Sequence, residues 1–187
     1  MPEPSPPQTL TRGGVTIRPW YAGDADALVA RISDPLVATF LDQIPHPYTY
    51  EDARLWFETA AEAWRSGTMA PFAIEVAGLE GPVGGVGVRF LDELDAGGAE
   101  IGYWVAAEAR GRGVATVATR LAAEWAFEAD PELARLQLRA DVENVASNRV
   151  AEKAGFTREG VLRAQRYNAR LGRRADFVMW SLLRSEL

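Results

Sequence analysis

The sequence predicts an α+β domain of three layers, a mixed β-sheet with helices on both faces. Three observations lead there. Strand-like and helix-like runs follow one another in the order βααβββαβαββ. A chain of 187 residues with 48% hydrophobic content can bury one good core. No internal repeat or interdomain linker divides it, so residues 10–187 read as one domain behind a short tail, residues 1–9.

Met1 to Gln8 holds four prolines and reads as disordered or extended. Val15 and Ile17 alternate with polar residues, which predicts a first strand around Gly14 to Pro19. Asp24 is placed as the N-cap of a helix over Ala25 to Ile32, and Pro35 follows its end. Leu41 to Tyr50 carries two prolines and the only histidine, and reads as an irregular loop. A second helix runs from about Tyr50 to Arg65, with Leu55, Trp56, Thr59, Ala63 and Trp64 near helical spacing and Gly67 as its stop.

Pro71 to Val76 and Val83 to Phe90 read as two strands joined by a turn at Gly78 to Pro82. Gly84, Gly85 and Gly87 have no helix behind them, so they mark a bulge or a close backbone approach rather than a nucleotide loop. An acidic turn, Asp92 to Gly98, leads into a strand over Ala99 to Val105. The next helix, Val114 to Glu128, has Val114, Val117, Ala118, Leu121, Ala122 and Trp125 as its apolar stripe and ends before Pro131. Leu136 to Ala140 is a short strand. Ala146 to Ala154 is a helix with Gly155 as its left-handed cap and Phe156 as the cap's apolar contact. Thr157 to Tyr167 and Arg174 to Leu183 form two antiparallel strands around a turn at Leu171-Gly172. Trp56, Trp64, Trp125 and Trp180 sit at core spacing, while Trp20 and Trp104 are placed to border a cleft.

Between the strand at Ala99–Val105 and the helix at Val114 lies Arg110-Gly111-Arg112-Gly113-Val114-Ala115-Thr116. The first N–H groups of a helix have no partner inside it, and the macrodipole adds partial positive charge there. Gly111 and Gly113 let phosphate oxygens approach the backbone, and Arg110 and Arg112 add two cations with a fork that fits phosphate. The loop reads as a diphosphate cradle. It lacks the lysine and hydroxyl of a P-loop, and Thr116 stands where GxGxxG needs its third glycine.

Composition excludes several classes. A net charge of −6 argues against nucleic acid as a partner. No run approaches the ~18 apolar residues of a membrane span, and no secretory signal is visible. With no cysteine there is no disulfide, thiolate zinc site or cysteine acyl-enzyme. No metal is expected. A soluble cytoplasmic protein is the expectation.

Arg110, Gly113 and Ala115 fill the pattern Arg/Gln-x-x-Gly-x-Gly/Ala. About 30 residues later comes Asn144-x-x-Ser147-x-x-x-Ala151-x-x-x-Gly155-Phe156. Together with Ile101-Gly102-Tyr103-Trp104-Val105, Glu159-Gly160, Ile17-Arg18-Pro19 and Asp24-Ala25-Asp26-Ala27, the chain resembles the RimJ/RimL-like branch of the GNAT N-acetyltransferases over roughly residues 14–184. The resemblance implies a mostly antiparallel sheet whose fourth and fifth strands, here Ala99–Val105 and Leu136–Ala140, splay apart to admit acetyl-coenzyme A as cosubstrate. It implies pantetheine contacts from the backbone near Trp104 and Val105. Gly111, Gly113, Val114, Ala115 and Thr116 would hold the pyrophosphate, with Asn144 on the pantetheine. Asn148 and Lys153 would lie toward the nucleotide, although Lys153 also reads as a solvated helix charge.

Acetyl transfer needs a neutral amine held against the thioester and a proton for the departing sulfur. On the resemblance, Glu100 is the candidate base, against a reading as an exposed edge carboxylate. Ser147 is the candidate acid, against a reading in which its hydroxyl bonds helix-start backbone. His46 borders the expected acceptor side and is a weaker candidate base. Where Rim-type enzymes carry a glutamate before the tyrosine matching Tyr167, this chain has Arg166. The expected acceptor is a primary amine, either a protein N-terminus as in ribosomal-protein acetylation or a small molecule such as a polyamine or aminoglycoside. Two alternatives stay open: a succinyl donor whose carboxylate meets Arg166, and an acyl-coenzyme A sensor without turnover. Oligomeric state does not follow from the sequence, though members of this family are often dimers.

Overall fold

The computed structural model describes residues 8–91 and 97–187. Met1–Pro7 of the tail and residues 92–96 of the acidic turn lie outside them. The first strand is preceded by one that the sequence reading did not separate. Strands β1 (Leu10–Arg12) and β2 (Val15–Pro19) form a hairpin in which Arg12 faces Val15, so the turn is Gly13-Gly14. Both glycines have positive φ, +56° and +78°, as a tight hairpin turn with right-handed twist requires.

Helix α1 (Ala25–Ile32) begins where expected, but Asp24 makes no side-chain cap to it. Its carboxylate instead grips Arg18 with two bonds of 2.8 Å and accepts the Tyr21 N–H. A second difference follows at Pro35, which starts a helix rather than following one. Asp34 caps α2 (Pro35–Phe40) by accepting from the N–H groups of Leu36 and Val37, and proline's missing N–H costs nothing at the first helical position. Helix α3 (Tyr50–Ser66) has a reciprocal Thr49/Asp52 capping box and ends at Gly67 with φ +66°.

β3 (Met69–Val76), β4 (Gly84–Phe90) and β5 (Gly98–Val105) form an antiparallel meander. The β4 register is unbroken, so there is no bulge: Gly84 and Gly85 mark a close approach, while a Cβ at Gly87 would make only ordinary contacts, none nearer than 3.8 Å. A Cβ at Gly84 would stand 2.4 Å from the Trp104 carbonyl oxygen, and one at Gly85 2.9 Å from the Trp104 indole nitrogen. After α4 (Val114–Ala129) come β6 (Arg135–Asp141), α5 (Val145–Lys153), β7 (Thr157–Asn168) and β8 (Arg173–Leu183). The eight strands lie in the order β1-β2-β3-β4-β5-β6-β8-β7, and only β5 and β6 are parallel.

Apolar side chains collect on both faces of the sheet. Ile17, Phe72, Ile74, Val88, Ile101 and Leu136 meet the stripe of α4 and Phe156 behind α5. Trp64, Phe72 and Trp125 interlock there at centroid distances of 5.1–5.4 Å. On the opposite face Leu28, Ile32, Val37 and Ala53 of α1–α3, with Tyr48 of the loop before α3, pack with Trp20, Trp56 and Trp104. The result is the expected three-layer α+β arrangement.

Candidate active site

β5 and β6 stay paired over only three residues, Gly98–Glu100 against Arg135–Gln137. Beyond that they part, and Ile101–Val105 and Leu138–Asp141 border a cavity of about 420 Å³. The gap is not fraying, because β4 holds the other edge of β5 and β8 the other edge of β6. Two strand edges facing a gap leave backbone donors and acceptors for an extended ligand.

The N-terminus of α4 opens on this cavity. Gly111 and Gly113 have φ of +72° and +76°, and a Cβ on either would meet nothing within 4 Å. Positive φ, not crowding, requires glycine here, and the space beside the backbone is open. No side chain caps the helix. Among the described residues the N–H groups of Val114, Ala115 and Thr116 find no hydrogen-bond partner, and all three residues line the cavity. Unpartnered donors at the positive end of a 16-residue helix fit a diphosphate.

The two arginines of the loop do not serve as expected. Arg110 donates from Nε to the Val105 carbonyl at 3.0 Å and from Nη2 to Asp34 at 2.7 Å. It ties the end of β5 to the cap of α2 and is not a free phosphate ligand; it also occupies the Val105 oxygen expected to meet pantetheine. Burial opposes ionisation of Asp34, but Arg110 and the α2 amides outweigh it and hold the carboxyl below its ordinary range. Arg112 is exposed, does not line the cavity and makes no ion pair among the described residues. Among the described residues four cations line the cavity: Arg110 and Arg139, which are held by Asp34 and Glu100, and Arg149 and Lys153, one turn apart on α5. Arg149 was missed, although its i,i+4 spacing to Lys153 was readable.

Asn144 and Ser147 have separate roles. Asn144 accepts the Ser147 N–H at 3.0 Å and so caps α5. The Ser147 hydroxyl is therefore not needed by the helix start; it lies 2.8 Å from the Tyr103 hydroxyl, across the gap from β5 to α5. Both residues line the cavity. Burial pushes the Tyr103 phenol up to about 12, although the Ser147 bond pulls the other way. Tyr103 was overlooked as a site residue; alternation from the core residues Ala99 and Ile101 places it on their face. Asn148 is fully committed, donating to the Asp141 and Asn144 carbonyls and accepting from the Trp180 indole at 2.9 Å. It latches α5 to the sheet and does not line the cavity.

Glu100 lies at the closed end of the gap and is not among the cavity-lining residues. Gln137 donates to it at 3.0 Å and Arg139 at 2.9 and 2.6 Å, with Arg89 3.6 Å away. Its oxygens are occupied by donors that bridge β5 and β6. His46 is exposed in its loop and away from the cavity lining. Arg166 is held by Asp42 at 2.6 Å, so it is not a free partner for an acyl carboxylate. Trp104 lines the cavity; Trp20 packs against α3 instead. Among the described residues no cluster of His, Cys, Asp or Glu has a metal-binding arrangement, and no helix is long and apolar enough to cross a membrane.

A sheet split between parallel strands, with an uncapped glycine-led helix at the split, is the frame of a group-transfer enzyme for an extended, phosphate-bearing cosubstrate. Residues 15–157 match the acetyltransferase (GNAT) domain family, and the chain belongs to that family: it is a GNAT N-acetyltransferase. It is 29% identical over 179 residues to the uncharacterized N-acetyltransferase p20 of Bacillus licheniformis, covering 96% of this chain and 98% of that one. It is 40% identical over 103 residues to YdaF of Bacillus subtilis (strain 168), provisionally named a ribosomal N-acetyltransferase, over 55% of this chain and 54% of that one. The solved structure of Mycobacterium smegmatis RimJ in complex with CoA-disulfide superposes with a TM-score of 0.83 at 26% identity, over 98% of this chain and 90% of RimJ.

Proposed function

We propose that this enzyme transfers an acetyl group from acetyl-coenzyme A to the α-amine of a protein N-terminus. The observation that carries the reading is the uncapped start of α4 opening on the gap between β5 and β6. Val114, Ala115 and Thr116 would hold the pyrophosphate with Gly111 and Gly113, and Arg149 and Lys153 would supply cations toward the nucleotide. The free edges of β5 and β6 would pair the pantetheine arm. Acetyl-coenzyme A supplies the acetyl group as a thioester.

The chain's own part is to orient the two reactants and move one proton. The new C–N bond forms as the C–S bond breaks, and the proton leaving the nitrogen ends on the sulfur. Ser147 and Tyr103, hydrogen-bonded to each other beside the gap, are the groups that would pass it. Glu100 instead joins β5 to β6 through Gln137 and Arg139. An α-amine, pKa ~7.7–8.0, is neutral often enough near pH 7 to react without a strong base, whereas a lysine at ~10.4 is not. The RimJ likeness and the name of YdaF favour a protein acceptor.

Placing a carboxylate in the first turn of α4 tests the cradle. Ala115→Glu favours the helix dipole but repels a diphosphate. Calorimetry should show acetyl-coenzyme A binding weakened at least ~100-fold with an unchanged or higher melting temperature. Unchanged affinity would remove the cradle assignment.

A further inference from the structure

The cavity passes through the sheet, and its two sides differ. Leu136, Leu138 and Ala140 face the α4 side, so alternation puts Gln137, Arg139 and Asp141 on the α1–α3 side. A ligand with its phosphates at the start of α4 that threads the gap delivers its far end to that second side. There the walls are largely apolar: Leu36, Val37, Phe40, Leu41, Trp104 and Phe177.

The arginines flanking this side are engaged. Arg139 holds Glu100, Arg166 holds Asp42, and Arg173 lies 2.5 Å from Glu143. Asp141 is the exception. It borders the cavity at the end of β6 and is 4% exposed. Its Oδ1 accepts the Glu143 N–H at 2.8 Å, but among the described residues its Oδ2 makes no hydrogen bond; it stands 3.7 Å from Arg173 Nη2, which is likewise buried without a hydrogen bond although it lies beside Glu143. A buried carboxylate oxygen left unpaired is costly, and a hydrogen-bonding cation that enters beside it recovers that cost.

We propose that Asp141 is the acceptor-binding residue of this enzyme. Its Oδ2 takes the ammonium of the incoming amine, which gives one proton to solvent before the neutral nitrogen attacks and its second proton ends on the sulfur. The apolar walls select an apolar group beside that amine. The acceptor is thus a polypeptide α-amine with an apolar first side chain, not a polycation, for which one carboxylate among apolar walls and paired arginines is a poor match. This assignment rests on the transferase reading above.

The test measures thiol release at saturating acetyl-coenzyme A. The acceptors are a leucine-starting hexapeptide, the same peptide starting with lysine, and spermidine. The leucine peptide should exceed spermidine at least tenfold in kcat/KM. Asp141→Asn keeps the Oδ1 acceptor and should raise the peptide KM at least tenfold, with kcat within threefold and the Kd of acetyl-coenzyme A unchanged. Arg173→Gln should lower the peptide KM by removing the competing cation. A merely structural Asp141–Arg173 pair predicts instead that both variants raise KM or leave it alone. That result, or a preference for spermidine, overturns the proposal while leaving the transferase reading intact. Wild-type protein that binds acetyl-coenzyme A but turns over no amine overturns both. If Asp141→Asn shows no cooperative melt, the sign of the Arg173→Gln effect decides.

Discussion

A hydroxyl pair can carry a proton between two reactants only if it ends each turnover as it began. Tyr103 and Ser147 meet that condition. With its phenol pushed up to about 12 by burial, Tyr103 stays protonated throughout the neutral range. It is a weaker acid than a thiol, at ~8.5 for cysteine, and gives up no proton unless it receives one. On the proposed mechanism the pair would therefore relay the proton released by the nitrogen. Ser147→Ala and Tyr103→Phe should each lower kcat by about 100-fold, the lower end of the usual worth of positioned proton transfer, without changing the Kd of acetyl-coenzyme A. Glu100→Gln should stay within about threefold. The opposite ranking in steady-state assays would return the base to Glu100.

Elements here are fixed at their ends by residues from other elements. Helix α2 has only six residues, too few to stand alone. Asp34 and Pro35 start it, Arg110 pins that start, and its closing carbonyls receive Asn168 from the end of β7 and Arg170 from the β7–β8 turn. The cavity wall that α2 supplies is thus held from both sides of the gap. The three strands beyond the gap are joined in the same way. Glu159 of β7 accepts from Arg135 of β6 at 2.6 and 2.7 Å and from Ser181 of β8 at 2.7 Å. Those bonds, Arg135 first, hold its carboxyl down at about 2. A carboxyl depressed on folding contributes stability above its unfolded value of ~4.3 and loses it as pH falls toward the folded one. The group is partly exposed, so the effect is small, within ~1 kcal/mol. Wild type should melt above Glu159→Gln at pH 6, and the gap should close by about pH 2. A difference independent of pH would mean that charge is not its source.

The whole molecule is two sheet blocks, β1–β5 and β6–β8, joined in the sheet by a three-residue seam. That seam allows a gap in an otherwise continuous sheet, and it concentrates the cost of damage. Leu136 lies within it, paired with Ala99 and fully buried. Leu136→Ala should cost about 2–5 kcal/mol by urea denaturation, as deletion of a large core side chain does. Because the seam sets the width of the gap, acetyl-coenzyme A affinity should fall as well. Lost stability with unchanged affinity would show that β4 and β8 hold the gap open without it.

The sequence by itself determined what depends on neighbours along the chain. Strand-like runs separated by turn signals marked β3, β4 and β5, helical spacing from about Tyr50 and the stop at Gly67 marked α3, Gly155 and Phe156 closed α5, and the Arg/Gly loop marked the start of α4. The Gly13-Gly14 turn and the Asp34-Pro35 helix start were equally local signals that went unread. Tertiary structure decided which long side chains are free. Arg110 meets Asp34 from 76 positions away, Arg166 meets Asp42 from 124, and Glu100 meets Arg139 from 39. A flexible ionic side chain takes its partner from whatever the fold brings within about 3 Å, and no local pattern encodes that meeting. For the same reason the Ser147–Tyr103 pair and the unpaired oxygen of Asp141 became visible only once β5, β6 and α5 stood around one gap.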